Sequence, residues 1–365
     1  MLPPWDATAQ HAQTPETNYA NPEKIAELTD QLVDRMKHAS TALAKINSQA
    51  RLLSFNAQIE AARAGGSAGA AFGVVATAMR ELSEKTAAIS DNMGRETAEA
   101  NQRLQQIIQS LATNVRGVRL TDLALTNIDL IDRNLYERSC DVRWWATDSS
   151  AVDALTQRVE DGYRHCAHRF GLILNSYTVY YDLVLCDLDG KVVANGRPSL
   201  YSSQGADCSR SAWFQSALGT RSGEEFGFQG VQASSLAGGR RVLVYSCCVR
   251  AGGEIHGQPL GVLGIVFNWD ALAQTIMDST PLSPDEKRAT RVCLVDKDGL
   301  VLADSENRAL HDTIRLPNWA QIKTSKKGFY ASVYDSRPCL VGYASSPGYE
   351  TYATGWHSLL IQRES

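Results

Sequence analysis

The chain lacks any window approaching the ~18 uncharged apolar residues that a bilayer-crossing helix needs, so no membrane span is expected. It also lacks an excess of charge of either sign. Its 36 Lys and Arg stand against 40 Asp and Glu, a net charge of −4, and the basic residues form no stripe or aromatic platform. That excludes an electrostatic case for binding nucleic acid. The eight cysteines, Cys140, Cys166, Cys186, Cys208, Cys247, Cys248, Cys293 and Cys339, show no disulfide-scaffold spacing. Reduced thiols in a cytoplasmic protein are therefore expected. The first 22 residues have no basic region followed by an apolar core, so 1–22 reads as a disordered lead-in rather than a secretory signal. Enzyme signatures are missing too. No phosphate-binding loop follows Gly65, there is no G-x-S-x-G or H-E-x-x-H, and Glu224-Glu225 reads as solvated loop charge. The expectation is a protein without enzymatic activity or cofactor.

What is present begins with an alanine-rich stretch from Ile46 to Ser83, broken once by Gly65, Gly66 and Gly69. Apolar or small residues recur at Leu32, Met36, Ala39, Leu43, Ile46, Ala50, Leu53 and Ala57, alternating steps of four and three. The rhythm resumes at Phe72, Val75, Met79, Leu82, Thr86, Ile89 and Met93, and continues to Leu111. Neither arm contains proline. Each is expected to run as one helix of roughly forty residues, about 60 Å long, over 23–115. Two such arms cannot bury their stripes alone, which predicts an antiparallel helical hairpin, a coiled coil closing as a four-helix bundle in a homodimer.

Asn56-Ala57, Ile59-Glu60-Ala61-Ala62-Arg63-Ala64-Gly65 and, past the turn, Phe72 with Val74-Val75-Ala76, resemble the membrane-distal signalling tip of bacterial methyl-accepting chemotaxis proteins. The resemblance covers about forty residues. It departs from the family pattern at Ala50-Arg51, at Gly66 and at Ala70-Ala71, and the turn is one residue longer. It implies contact between dimers, and with a chemotaxis histidine kinase and its coupling adaptor, through Asn56, Glu60, Arg63, Phe72 and Val74. Methylation sites do not carry over, because the Gln105-Gln106 pair lacks small neighbours.

Residues 116–176 read as a further long helix, with Ser149-Ser150 as a restart cap before Asp153. From Tyr177 the pattern changes to short β-rich runs divided by glycine turns. One repeat is visible, Val184 to Ala194 echoing Cys293 to Ala303, each an apolar strand, a D-x-D-G turn and another strand. The repeat predicts an α+β fold with two similar α/β modules, 177–280 and 281–365, following one long helix. The turns are not calcium loops, since Pro198 and Asn307 stand where a bidentate glutamate is needed.

With Arg210-Ser-Ala-Trp213-Phe214, Gly261 to Phe267 and Gly355-Trp356, this arrangement is similar to the double Cache sensor, two PAS-like modules on a long helix. The resemblance implies a small-molecule ligand in the first module, and Arg210, Trp213, Phe214 and Tyr245 are its candidate contacts. Val266 stands where the amino-acid-binding subclass has aspartate, so amino acids are not the expected ligand. The reading is a cytoplasmic chemoreceptor-like transducer, with a ligand-binding or scaffold protein whose hairpin only dimerises as the alternative. A metal or haem site at His165 and His168 has no visible third ligand.

Overall fold

The computed structural model describes residues 22–364, and the lead-in expected over 1–22 lies almost wholly outside the described residues. The chain divides into two compact units at Arg116 and Gly117.

The first unit contains α1 (Pro22–Ala64) and the first part of α2 (Gly66–Trp145). The Ser83 hydroxyl donates to Asn47 Oδ1 at 2.7 Å, Ser40 and Ser90 share a hydrogen bond, and Gln105 donates to Asp30. Residue numbers fall on one helix as they rise on the other, so the helices pair in opposite directions. The buried positions are Thr29, Ser54 and Ala61 on α1 and Gly69, Ala76, Ser83, Ser90 and Ile108 on α2. Most of these follow a stripe residue by one place, as Ser54 follows Leu53 and Ser83 follows Leu82. One residue is about 100° of helix rotation. Small side chains therefore close the seam, and the large stripe is turned outward: Ile46, Leu53 and Leu82 remain 62%, 58% and 66% exposed.

In the second unit α2 continues without a break to Trp145, followed by α3 (Ser149–Gln157) and α4 (Glu160–Ser176). The cap of α3 is Asp148 rather than the expected Ser149-Ser150 pair. Its carboxylate accepts from the Ser150 amide at 2.9 Å and hydroxyl at 2.6 Å, leaving both serines inside the helix. Gly117 lies inside α2 and neither ends nor hinges it. A Cβ there would stand 2.2 Å from the Phe329 ring, so glycine gives that ring its seat against the helix.

Among the described residues ten strands form two antiparallel sheets. The first holds β1 (Tyr180–Asp187), β2 (Val192–Asn195), β3 (Gly227–Ser234), β4 (Arg240–Arg250) and β5 (Pro259–Asn268) in the order β2-β1-β5-β4-β3. The second holds β6 (Thr290–Val295), β7 (Val301–Asp304), β8 (Lys327–Tyr334), β9 (Arg337–Ser345) and β10 (His357–Arg363) in the order β7-β6-β10-β9-β8. The permutation is the same, and so is the detail. Asp187 and Asp296 each accept two backbone amides across their D-x-D-G turns, and a bulge falls at Leu185/Cys186 and again at Leu294/Val295. Short helices complete the modules: α5 (Ala212–Leu218) in the first, α6 (Trp269–Ser279) and α7 (Pro284–Ala289) after it, and α8 (Trp319–Thr324) in the second.

One face of both sheets packs on α2, α3 and α4 in a continuous core that includes Ile128, Ile131, Phe170, Leu185, Leu263, Leu294 and Leu360. The opposite faces carry separate cores, around α5 in the first module and around α8 in the second. The loop before β10 ties the modules together. Buried Asp132 of α2 accepts from the Ser346 and Thr354 hydroxyls and from the Gly348 and Thr354 amides, and Tyr352 is hydrogen-bonded to Tyr245 of β4.

Candidate functional site

The structure brings together only part of the four-residue pocket expected in the first module. Trp213 and Phe214, on α5, are buried in the core between that helix and the sheet and lie edge to face, with centroids 6.1 Å apart. The Trp213 carbonyl accepts from Ser246 at 2.7 Å, and its amide donates to Gln229. Its ring lies over Gly264, where a Cβ would come within 2.9 Å. Trp213 therefore fills the sheet face that the pocket reading reserved for a ligand. Tyr245 is not part of this face. Strand alternation sends it, with Leu243 and Cys247, to the face against α2. Arg210 is exposed two residues before α5, outside the buried aromatic pair.

Sequence reasoning missed a polar centre on the same face, at the β2 edge. Asp182, on β1, is fully buried, and its carboxylate accepts from the Asn195 amide group at 2.7 Å and from the backbone amides of Leu183 and Arg197. Burial pushes its pKa up to about 6, and these hydrogen bonds hold it from rising further. The Arg197 guanidinium is spent on the carbonyls of Leu174, Tyr180 and Tyr181. Both N–H groups of Asn195 are used, on Asp182 and the Tyr201 carbonyl, while its Oδ1 is buried and accepts nothing. The Ser203 hydroxyl is likewise buried and unpaired. Beside this centre, α4 and the loop after β2 enclose a groove of about 570 Å³, to which Tyr163, His168, Leu172, Asn195, Arg197 and Leu200 contribute.

The second module has the matching centre with the charges rearranged. Where β1 has Asp182, β6 has Arg291; where β2 has Asn195, β7 has Asp304. Both pairs flank equivalent registered positions, Val184 opposite Asn195 and Cys293 opposite Asp304. Arg291 is fully buried, grips Asp304 at 3.1 and 2.6 Å, reaches Asp312 at 2.9 Å and is hydrogen-bonded to Tyr334. Burial opposes its charge, but these carboxylates more than offset it, and its pKa is raised.

On the first unit, Asn56, Glu60, Arg63, Phe72 and Val74 are all exposed, with Glu60 and Arg63 paired at 3.0 Å. Among the described residues no three His, Cys, Asp or Glu side chains converge as metal ligands, and no helix is long and apolar enough to cross a membrane.

Two sheets of one strand order, each with its own outer core and a shared inner core on one helix, define a tandem sensor fold. Residues 72–365 match the Cache domain family, dCache_1, and the chain belongs to it. Among solved structures the chain is similar to the sensor domain of the V. cholerae histidine kinase DctB, at 15% identity and a TM-score of 0.51, over 70% of this chain and 98% of that one. It is also similar to the sensory domain of the Campylobacter jejuni chemoreceptor Tlp3, at 15% identity and a TM-score of 0.49, over 67% and 92%. A third is the ligand-binding domain of the Pseudomonas aeruginosa chemoreceptor PctC in complex with GABA, at 18% identity and a TM-score of 0.48, over 66% and 96%. No curated protein matches.

Proposed function

We propose that this protein is a small-molecule sensor whose first Cache module binds the ligand and whose helical hairpin passes the signal to a chemotaxis histidine kinase and its coupling adaptor. The observation that carries the sensing half is the groove beside a buried, incompletely satisfied polar centre in a Cache fold. The signalling half is supported by the exposure of Asn56, Glu60, Arg63, Phe72 and Val74. A homodimer is supported by the outward stripe, for a second hairpin would cover Ile46, Leu53, Leu82 and Ile89 in a four-helix bundle. The eight cysteines are all free, in keeping with a cytoplasmic setting. Ligand binding shifts α2 between two packings and so biases the hairpin tip.

The test is a pull-down of the purified chain against a chemotaxis kinase and adaptor from the same organism, wild type beside Glu60→Ala/Arg63→Ala. The expected result is capture by the wild type that the double variant loses. Capture of neither would reduce the hairpin to a dimerisation device.

A further inference from the structure

Three arginines are buried among the described residues, Arg138, Arg250 and Arg291. Arg138 pairs with Glu137 and Asp141, and Arg291 with Asp304 and Asp312, so two of the three charges are met within the fold. Arg250, the last residue of β4 and only 6% exposed, has no carboxylate partner among the described residues. Its terminal nitrogens donate to the carbonyls of Gly257 and Thr220, and its Nε–H is buried without an acceptor in the chain. A desolvated guanidinium with a donor to spare destabilises a fold unless negative charge reaches it.

A second guanidinium lies at the same place. Arg143, in the last turn of α2, is half-buried and donates to the Ser139 and Glu224 carbonyls and the Cys140 sulfur, again with no carboxylate partner among the described residues. The two meet because the loop after β4 closes on the end of α2. Gly252 and Gly253 turn that loop with positive φ, and a Cβ at Gly253 would stand 3.1 Å from the Thr147 carbonyl oxygen. The Gly223 amide, in the loop after α5, donates to the Ile255 carbonyl at 2.8 Å and closes the third side. Arg143, Arg250, Cys247, Gly223 and Ile255 are among the residues that line the cavity between these segments, whose volume is about 30 Å³. That is room for a halide ion or a water or two, and it excludes an organic ligand.

The lining does not neutralise the two arginines. Cys247 stays a thiol, because burial pushes its pKa up to about 12 although Arg250 and Arg143 both act to lower it. Glu254 contributes to the lining but is exposed and pairs with neither arginine.

We propose that this cavity binds a small inorganic anion, a chloride ion, with the Arg250 Nε–H as its buried donor and Arg143 as its second cation. Bound there, the ion ties the end of α2 to the exit of β4 and stiffens the first module where the long helix leaves it. The inference goes beyond the sensor reading and does not depend on it, since no residue of this cavity lines the groove beside Asp182.

The experiment is thermal melting of the full chain at pH 7.5, with sodium chloride exchanged for sodium gluconate at constant ionic strength. Chloride should raise the melting temperature saturably, by about 3 °C at about tenfold over its dissociation constant. Bromide should replace it, being close to it in size, and gluconate should not. Arg250→Gln should abolish the difference between the salts. Arg143→Gln, at a less buried position, should weaken the chloride effect too and keeps the test valid if Arg250→Gln does not fold. Equal melting of the wild type in the two salts, the result for a cavity that holds only water, overturns the inference. So does a chloride effect undiminished in Arg250→Gln, or in Arg143→Gln where the first variant does not fold.

Discussion

Asp182 ties the stability of the protein to pH. Its folded pKa stands near 6, above the 3.8 of an ordinary aspartate, so the ionised carboxylate is a burden in the folded state. That burden is complete above about pH 6 and is relieved as pH falls through 6 toward 4, by about 3 kcal/mol at about 1.4 kcal/mol per unit. His357 has the opposite sign. Burial and Lys323 lower its pKa, and its Nδ1 lies 2.9 Å from the Ser345 hydroxyl. Stability from the neutral ring is present above about pH 6.5 and lost as pH drops below it. Thermal melts from pH 7.5 to 5 should therefore separate the variants, with His357→Gln gaining stability on acidification and Asp182→Asn losing it. Equal slopes in the two would contradict the assignment. Both members of the polar centre were legible in the sequence. Counting the repeat two places further back sets Asp182 against Arg291, and one place further on sets Asn195 against Asp304. A charge in the midst of an apolar strand was the available signal. The burial of Trp213 was not legible in the same way, since an aromatic before a sheet suits a pocket wall and a core equally well.

At the level of elements, strand positions were well marked by alternation and turns, because the D-x-D-G and glycine pairs are local chemistry. Which sheet face a strand residue joins is a long-range matter, and that is why Tyr245 was grouped with Trp213 although the two lie on opposite faces. Alternation gives parity and no direction. The hairpin shows the same division. Its heptad period was plain in the sequence, but the seam lies one residue out of phase with the large apolar stripe, a choice made by how closely two backbones approach. Gly117 offers a direct check on helix-to-sheet packing. Gly117→Ala would place a methyl in the Phe329 ring and should cost about 1–3 kcal/mol in denaturant melts. Phe329→Ala in the same chain should recover part of that loss, and purely additive losses would show that the ring is not the obstacle.

For the whole molecule, the outward stripe makes association the expected state. Leu53→Glu with Leu82→Glu should convert a dimer to a monomer by light scattering while leaving the melting of the second compact unit, from Gly117 on, unchanged, since both positions lie in the first. A monomeric wild type would refute this. The two-unit division itself could be read from composition, where an alanine-rich heptad region gives way to β-rich runs, but the uninterrupted passage of α2 across it could not, because the stretch from Val115 to Leu120 contains Gly117, and glycine ordinarily weakens a helix interior.

The strand order has a consequence for how the chain is made. In each sheet the strand made last is the central one, and in the first sheet β5 closes the gap between β1 and β4. In the second sheet β10 stands in the middle, between β6 and β9. Until it arrives, β6 with β7 and β9 with β8 are two separate hairpins with unpaired inner edges, exposed to any other strand nearby. Loss of the residues after Gly355 thus removes the centre of a sheet rather than its fringe, and a nascent chain stalled at that point is the form of this protein most prone to aggregate.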